Sequence, residues 1–277
     1  PMADIFLHQV IDDFAASYRE GVTPNPCVRC NERLRFGRFI EELKRRLPPF
    51  FFSTGHYVRI GSFQGRTCLR RGVDAKKDQS YMLYRIRPEL LDRLIFPLGE
   101  LTKEEVVRRA REMDLPTAGV RESQDACFVE EDYTDILRER LSAAGGGSVD
   151  SAGSRIPGLE PGIIRDENGA ELGRHRGYLH YTVGQRRGLD LSNGPWYVSA
   201  LDARTNTVYV GRNPGVDEFE AGELNWFLSG AEGEADIPAA GLTVEVQIRY
   251  QSRPRICCLL PAGKRTLRVQ LEEPARV

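Results

Sequence analysis

The sequence lacks the features that mark several specialised classes of protein. It has no apolar run near the roughly 20 residues that a membrane-spanning helix needs, and its first residues do not have the basic and apolar parts of a signal peptide. Six cysteines in 277 residues are too few for a disulfide scaffold, which is normally short and rich in cysteine. We therefore expect a cytoplasmic protein with reduced thiols and no membrane partner.

The sequence also has no excess of charge of either sign, because its formal net charge is −1. A protein without a basic excess can still bind nucleic acid, since phosphate binding requires only a local basic surface. One basic group, Arg29, Arg33, Arg35 and Arg38, lies around a pair of cysteines, and others are spread along the chain. Each group taken alone is more typical of a solvated face than of a binding site.

The first half of the chain alternates between helical and strand patterns. Apolar residues recur at helical spacing over 36–47, and the next apolar run ends in a small-residue turn at Thr54 and Gly55. Ligands of α/β folds usually bind where a strand runs into such a glycine. Thr102 and Glu105 form a capping box, which predicts the start of another helix.

The second half is typical of β structure. Polar turns separate apolar runs over 162–175 and 196–211, which predicts two hairpins, and 242–249 alternates as a strand with one buried face does. The predicted fold is an α/β domain followed by small all-β modules. Its parts are the α/β domain at 1–144, a flexible Gly- and Ser-rich linker at 145–157, a central β domain at 158–215 and a C-terminal β-barrel at 216–277.

Cys27 and Cys30 form a CxxC pair that directly follows a Pro-Asn-Pro turn. A zinc site would need four ligands, and the chain has no second CxxC or HxxxH that would complete one. A redox CxxC normally opens a helix after a strand, which fits the preceding turn poorly. Spacing alone favours a structural role and leaves metal binding and catalysis open.

The other cysteines are interpreted first as packing residues. Cys68 lies in a predicted hairpin strand, and the adjacent Cys257 and Cys258 point to opposite faces of an apolar strand. Cys127 precedes Phe-Val and is typical of a buried strand residue. It could still form one site with Cys27 and Cys30 if the fold brought them together.

Two polar stretches suit contacts with a nucleotide or RNA. His56 follows the glycine turn at a strand end, where it could meet a phosphate. The segment 76–84 combines cationic and amide side chains with Tyr81 and Tyr84, groups that suit RNA contacts. It equally suits a polar helix start, and both interpretations stay open.

Six stretches of the chain together resemble one family, the bacterial tRNA-uridine 2-sulfurtransferases, also called tRNA 2-thiouridylases. The stretches are GVTPNPCVRCNERLRF, TGHYVRI, LRRGVDAKKDQSYMLYRI, FPLGELTKEEVVRRAREMDLPTAGVRESQDACFV, LGRHRGYLHYTVGQRRGL and PWYVSALDARTNTVYVG. They follow the order of the family over nearly the whole chain, and the set is far more specific than any single member.

The resemblance implies an adenine-nucleotide alpha-hydrolase-like first domain with an incomplete Rossmann-type sheet. It also implies ATP-dependent 2-thiolation of the wobble uridine of tRNA, with ATP bound together with Mg²⁺. ATP adenylates the uracil C2 oxygen. A cysteine persulfide, loaded by a sulfur-relay or cysteine desulfurase protein, then delivers sulfur to C2.

The same resemblance assigns roles to individual residues. Cys127 carries the persulfide, Cys30 is the nucleophile that helps to release the sulfur, and Gly55 lies at the nucleotide. The RNA contacts it implies are Asn25, Pro26 and Cys27 at the flipped target base, and His56, Lys77, Asp78, Gln79, Arg249 and Tyr250 elsewhere on the tRNA. A thiolate is the required nucleophile, and nearby arginines are expected to lower its pKa. The target base must leave the stack to be attacked.

The chain departs from the family pattern at both ends and at one cysteine. The pyrophosphate loop of the family belongs before the first residue and the last barrel strands belong after the last one, so we interpret the sequence as a fragment. Cys27 stands where the family commonly has Asp. Cys27, Cys30 and Cys127 could instead hold a [4Fe-4S] cluster with one open iron position, as an alternative to the persulfide route.

Two other functions stay open beside the sulfurtransferase. A non-catalytic tRNA-binding protein would keep the β modules and lose the chemistry. An ATP-dependent amide-forming synthetase would share the first domain, but it leaves Cys30, Cys127 and the β modules unexplained. The favoured function is therefore tRNA 2-thiolation.

Overall fold

The computed structural model describes residues 2–119, 126–129, 133–144, 158–212, 215–227, 237–263 and 265–276. The predicted linker at 145–157 lies outside these residues. Helices dominate the first part and strands the second, as the sequence pattern predicts. No helix in the described ranges is both long enough and apolar enough to cross a membrane.

Two long helices open the fold, and each changes from α-helical to π-helical winding and back. The α-helices are α1 Met2–Phe6, α2 Asp12–Arg19, α3 Pro26–Arg29, α4 Ile40–Arg46, α5 Lys103–Glu112 and α6 Tyr133–Ala144. The π-helical segments Leu7–Ile11 and Cys30–Phe39 join α1 to α2 and α3 to α4. The second of these helices carries the CxxC pair and the basic group around it.

Two helix starts follow from local hydrogen bonds. The Asn25 side chain caps α3 by accepting from the Val28 N–H at 3.3 Å, and Pro26 occupies the first helical position, where its missing N–H costs nothing. The predicted capping box is confirmed at α5, because Thr102 and Glu105 each accept a hydrogen bond from the other's backbone N–H.

Four small sheets make up the β structure of the described residues. The strands are β1 Phe52–Ser53, β2 Val58–Phe63, β3 Arg66–Arg71, β4 Leu94–Ile95, β5 Gly162–Asp166, β6 Glu171–His175, β7 Tyr197–Asp202, β8 Thr207–Gly211, β9 Gly215–Ala221, β10 Leu242–Val246, β11 Arg255–Gly263 and β12 Thr266–Arg276. β1 and β4 pair in parallel, which confirms an α/β first part, and β2 and β3 form an antiparallel hairpin.

The core beneath the CxxC helix is built from that helix and the first strands. Phe36 and Val58 are almost fully buried in a cluster with Leu83 and Leu91. Cys68 is buried in β3, as its predicted structural role requires. The cluster fixes one face of the π-helical segment against the parallel strand pair.

The central sheet has the order β6-β5-β8-β7 and confirms both predicted hairpins. The hairpins are joined by parallel pairing of β5 with β8. Phe14 of α2 and Leu137 of α6 share one buried cluster with Ile164 and Val208 of this sheet. Helices on the N-terminal side of the predicted linker therefore pack directly on the central β domain.

The C-terminal sheet is antiparallel with the order β10-β11-β12-β9. Cys257 is fully buried and packs near Val244 and Val246, whereas Cys258 is only half-buried, so the two cysteines differ as predicted. Leu242, at the start of β10, is 42% exposed and lies outside the buried face that the alternation predicts. Closure of this sheet into a barrel stays a prediction.

Candidate functional site

The CxxC pair lies at the start of a helix. Cys27 is in the first turn after the Asn25 cap, and Cys30 is the first residue of the π-helical segment. The Pro-Asn-Pro turn thus caps the helix, and our objection that it fits a helix-opening CxxC poorly is wrong in that respect. The element that precedes the turn is α2, not a strand.

The fold brings Cys127 close to this pair. The charge of a Cys127 thiolate raises the pKa of both Cys27 and Cys30, an effect that requires the sulfur atoms to be near each other. Cys27 and Cys127 are exposed and Cys30 is half-buried, and all three are free thiols. The interpretation of Cys127 as a buried strand residue is therefore wrong, because it is exposed in a turn. It lies near Cys27 and Cys30, for which spacing alone favours a structural role.

Desolvation dominates the acidity of the two helix cysteines. It raises the pKa of Cys27 and of Cys30, and the guanidinium of Arg35 lowers both pKa values without reversing the direction. Our expectation that a nearby arginine lowers the pKa of the thiol is confirmed for Arg35, but desolvation outweighs this effect and the net shift is upward. In the resting protein both groups are thiols near neutral pH, and a thiolate there requires an additional interaction that stabilises its negative charge.

His56 is buried and bonded within the protein. It is 7% exposed, its Nδ1 lies 2.8 Å from Thr54 Oγ1, and its Nε2 lies 3.3 Å from Arg35 Nη1. Burial and the Arg35 charge lower its pKa to about 4, so the ring is neutral near pH 7. Arginine can only donate, so Nε2 accepts, and Nδ1 carries the proton that it donates to Thr54.

This placement changes what can be expected of His56. A buried neutral ring with both nitrogens engaged is poorly placed to meet RNA phosphate as a cation. Its contact with the functional site is the hydrogen bond that the buried ring accepts from Arg35. A direct tRNA contact by His56 stays a prediction, and one made through Arg35 fits the geometry better.

Cys27, Cys30 and Cys127 are the candidate ligands of a metal site. In the described part of the chain, no group of three His, Cys, Asp or Glu side chains is arranged to hold a metal ion, and Cys27, Cys30 and Cys127 all belong to that part. A [4Fe-4S] cluster held by three cysteines would need one thiolate on each of three iron atoms, which is a wider arrangement than that around a single ion. The structure therefore offers no support for the cluster alternative, which stays a prediction.

Gly55 follows β1 at the carboxyl end of the parallel strand pair, as predicted. A Cβ atom at this position would meet only Leu98 Cδ1 at 3.6 Å, which is an ordinary contact. Packing within the protein therefore does not demand glycine here. Close approach of a ligand would explain it, as the predicted nucleotide role implies.

The segment that contains Lys77, Asp78 and Gln79 is held by its own side chains. Asp78 Oδ1 accepts from the Gly72 N–H at 2.8 Å, and its Oδ2 accepts from Ser80 Oγ at 2.7 Å. Gln79 Oε1 accepts from the Tyr57 N–H at 3.0 Å. These oxygens support the loop, and a contact of this segment with tRNA stays a prediction.

The fold places Arg249 and Tyr250 beside the same segment. Tyr81 donates from its hydroxyl to the Ile248 carbonyl at 3.1 Å, and its ring lies 6.3 Å from that of Tyr250. Arg249 donates to the Val183 carbonyl at 2.6 Å, and burial lowers its pKa. Residues predicted from distant parts of the chain to bind tRNA therefore share one surface.

Sequence reasoning did not single out Arg35 as part of the site. It lies five residues after Cys30, a spacing that an α-helix would turn to another face. The π-helical winding of Cys30–Phe39 brings Cys30 and Arg35 to one face of the helix. The sequence pattern did not predict this winding.

Comparisons with known proteins agree with this architecture. Residues 1–131 match the family described as tRNA methyl transferase HUP domain, and residues 154–212 match the tRNA methyl transferase PRC-barrel domain. The two matches cover the first α/β part and the central sheet.

Curated relatives match almost the entire chain. A tRNA-specific 2-thiouridylase MnmA of Carboxydothermus hydrogenoformans is 38% identical over 284 residues, which cover 99% of this chain and 71% of the relative. Proteins of the same name from Moorella thermoacetica and Acidithiobacillus ferrooxidans are each 39% identical and cover 99% of the chain, with 72% and 73% of their own lengths matched. On this similarity the chain belongs to the tRNA-specific 2-thiouridylase family.

Proposed function

We propose that the protein is a tRNA sulfurtransferase that uses ATP to replace the C2 oxygen of the wobble uridine with sulfur. Family membership supports the tRNA substrate and the type of product. The observation that carries the mechanism is the approach of exposed Cys127 to Cys27 and Cys30 at a capped helix start.

The reaction begins with activation of the base. The uracil C2 oxygen attacks the α-phosphate of ATP and pyrophosphate leaves, which converts a poor leaving group into AMP. Gly55, at the end of the parallel strand pair, lies where α/β folds bind such nucleotides. Asn25, Pro26 and Cys27 form the rim against which an extruded base would rest.

Sulfur transfer then uses two cysteines. The terminal sulfur of a Cys127 persulfide attacks C2, AMP leaves with the C2 oxygen, and Cys127 is joined to C2 through a disulfide. The Cys30 thiolate attacks Cys127 Sγ, so the electron pair of the broken S–S bond stays on the sulfur attached to C2. The products are 2-thiouridine and a Cys30–Cys127 disulfide, which an external dithiol reduces.

The exposure of the three thiols fits these roles. Cys127 must receive sulfur from a separate persulfide-bearing protein, and it is exposed. Cys30 acts only within the site, and it is half-buried. This difference favours Cys127 as the sulfur carrier and Cys30 as the internal nucleophile.

The tRNA-binding surface would extend from the thiol site to the segment at Lys77, Asp78 and Gln79 and to Arg249 and Tyr250. The aromatic pair of Tyr81 and Tyr250 and the neighbouring cations supply the stacking and charge that RNA contacts use. Several phosphate contacts of this kind would make binding strongly dependent on salt.

The test measures 2-thiouridine in tRNA from cells that carry the complete gene product as their sole 2-thiouridylase. Cys127→Ser should abolish 2-thiouridine while the protein still binds tRNA. Cys258→Ser, in the C-terminal sheet, is the matched control and should leave the nucleoside at its normal level. Thiolation that survives Cys127→Ser would contradict the proposed mechanism.

A further inference from the structure

Arg35 lies on the same helix face as Cys30. The two residues are five positions apart in the π-helical segment Cys30–Phe39, and the i→i+5 hydrogen bond that defines such winding sets residue i+5 one turn beyond residue i. Gly37 supports the winding, because a Cβ atom there would lie 2.6 Å from the carbonyl oxygen of Glu32, five residues earlier. The register that aligns Arg35 with Cys30 therefore depends on local sequence.

The partners of Arg35 are neutral. Its Nη1 donates to Asn31 Oδ1 at 3.3 Å and to His56 Nε2 at 3.3 Å. Neither acceptor carries a charge, since His56 is the neutral tautomer with its proton on Nδ1. Within the described ranges, Arg35 has no carboxylate partner, and its Nε and Nη2 donate to no protein group.

The neighbouring arginines of the helix behave differently. Arg29 pairs with Glu32 at 3.1 Å and with Glu223 at 3.2 Å, and Arg33 pairs with Asp13 at 2.8 Å. Their positive charges are compensated within the protein. The charge of Arg35 is held in place and left uncompensated.

The groups that hold Arg35 are themselves fixed. Asn31 is buried and donates from Nδ2 to the Met82 carbonyl at 3.2 Å, and His56 is buried and donates to Thr54. The guanidinium therefore rests on two anchored acceptors while the residue stays exposed on its other side. Its charge acts favourably on the thiolates of both Cys27 and Cys30.

We propose that Arg35 stabilises negative charge on the sulfur atoms of Cys30 and Cys27, and that neutral His56 and Asn31 are positioning residues that orient it without cancelling its charge. The inference rests on the proposed sulfur transfer, since that reaction needs a Cys30 thiolate in a site where desolvation favours the thiol. A carboxylate in place of His56 would orient Arg35 equally well but would neutralise it.

The test follows the acidity of Cys30 directly and needs neither tRNA nor ATP. In the chain with Cys27→Ser, the rate at which iodoacetamide alkylates Cys30 is measured against pH by peptide mass spectrometry. Arg35→Gln should slow alkylation near neutral pH by about tenfold and shift the profile to higher pH, because one pKa unit changes the thiolate fraction tenfold. Arg35→Lys should restore part of the rate.

Arg38→Gln is the matched control, since it removes an exposed arginine of the same segment and should leave the profile unchanged. If the Arg35→Gln profile superimposes on that of the parent chain, or if Arg38→Gln shifts it equally, the proposal is overturned. A shift in the Cys30 profile without loss of cooperative thermal unfolding supports it.

The role of His56 is tested by a double-mutant cycle. His56→Phe removes the acceptor and should shift the Cys30 profile in the parent chain, but should have little further effect when Arg35→Gln is already present. His56→Gln retains an acceptor and should shift the profile less. Equal effects of His56→Phe in both backgrounds would overturn its positioning role. The loss of 2-thiouridine with Cys127→Ser is a separate readout, so either result can fail without the other.

Discussion

The start of the CxxC helix and the turn around Asp78 are both rich in polar groups, yet they hold them in opposite ways. At the helix start, Cys27 and Cys127 are exposed thiols and Arg35 has no carboxylate partner in the described residues. In the turn, both Asp78 oxygens accept hydrogen bonds from Gly72 and Ser80. At the helix start, the Arg35 charge and the exposed thiols remain available to a ligand. In the turn, hydrogen bonds from Gly72 and Ser80 occupy the Asp78 carboxylate.

This difference suggests that the polar groups of the helix start serve the reaction, whereas those of the turn stabilise the fold. Most polar groups of folded proteins are satisfied internally, so groups that are ordered and still available suggest a function. We expect substitutions at the helix start to remove activity with little loss of stability. Substitutions in the turn should first lower the free energy of unfolding.

The largest expected effect is on activity. Cys30→Ser should lower the rate of tRNA thiolation by on the order of a thousandfold, because a hydroxyl cannot act as the sulfur-releasing nucleophile. The free energy of unfolding should change by less than about 0.5 kcal/mol, since Ser is nearly isosteric and the site is half-exposed. Single-turnover kinetics and urea unfolding measure the two quantities. If Cys30→Ser lowered the free energy of unfolding as well as the activity, the claim that the helix start contributes little to stability would be contradicted.

The next effect concerns the pH dependence of stability through His56. Its folded pKa of about 4 lies below the ordinary value of 6.5, so the unfolded chain binds more protons between these values and stability falls as pH decreases through that window. In the His56→Gln variant, the free energy of unfolding should decrease by about 2 to 3 kcal/mol less than in the parent protein over this pH window. Urea unfolding of both proteins near the two ends of the window measures the difference. Equal acid sensitivity of the two proteins would show that His56 is not buried as a neutral ring.

Asp78→Ala should destabilise the fold by about 2 kcal/mol, because the Gly72 and Ser80 N–H groups and the Ser80 hydroxyl lose their acceptor. Asp217→Ala, at an exposed position of β9, is the control and should change the free energy of unfolding by less than about 0.5 kcal/mol. Equal effects of the two substitutions would contradict the structural role of the turn.

The smallest effect is expected on RNA affinity. Arg249→Ala should weaken tRNA binding by about tenfold and reduce the slope of log affinity against log salt by roughly 0.7 to 0.9, the value for one phosphate contact. Arg204→Ala, in the turn between β7 and β8, serves as an exposed control. Filter binding across a salt series gives both numbers. An unchanged slope would place Arg249 outside the phosphate-contacting surface.

Elements governed by local patterns were predictable from the sequence. The capping box at Thr102 and Glu105 and the hairpins of β5–β6 and β7–β8 follow from caps, turns and alternation. The burial of Cys257 follows from the same alternation.

Features set by tertiary contacts were not predictable in this way. The parallel pairing of β5 with β8 joins strands that are distant in sequence. The initial helix from Met2 to Arg19 was not predicted, and its α2 part packs against the central sheet.

The site shows the same division. The sequence left open that Cys127 forms one site with Cys27 and Cys30, and the fold brings the three cysteines near each other. The roles that the resemblance implies for them stay predictions. The net direction of the Cys30 pKa depends on desolvation, which residue types alone do not reveal. The neutral state of His56 and the alignment of Arg35 with Cys30 depend on burial and on π-helical winding.

The central claim is that Cys127 and Cys30 act as one sulfur-transfer site. The most direct measurement is a single turnover with persulfide-loaded protein, ATP and tRNA in the absence of reductant, followed by quantification of disulfides and 2-thiouridine by mass spectrometry. The account predicts a Cys30–Cys127 disulfide in amounts equal to the 2-thiouridine formed. Formation of 2-thiouridine while both cysteines remain free thiols would contradict it.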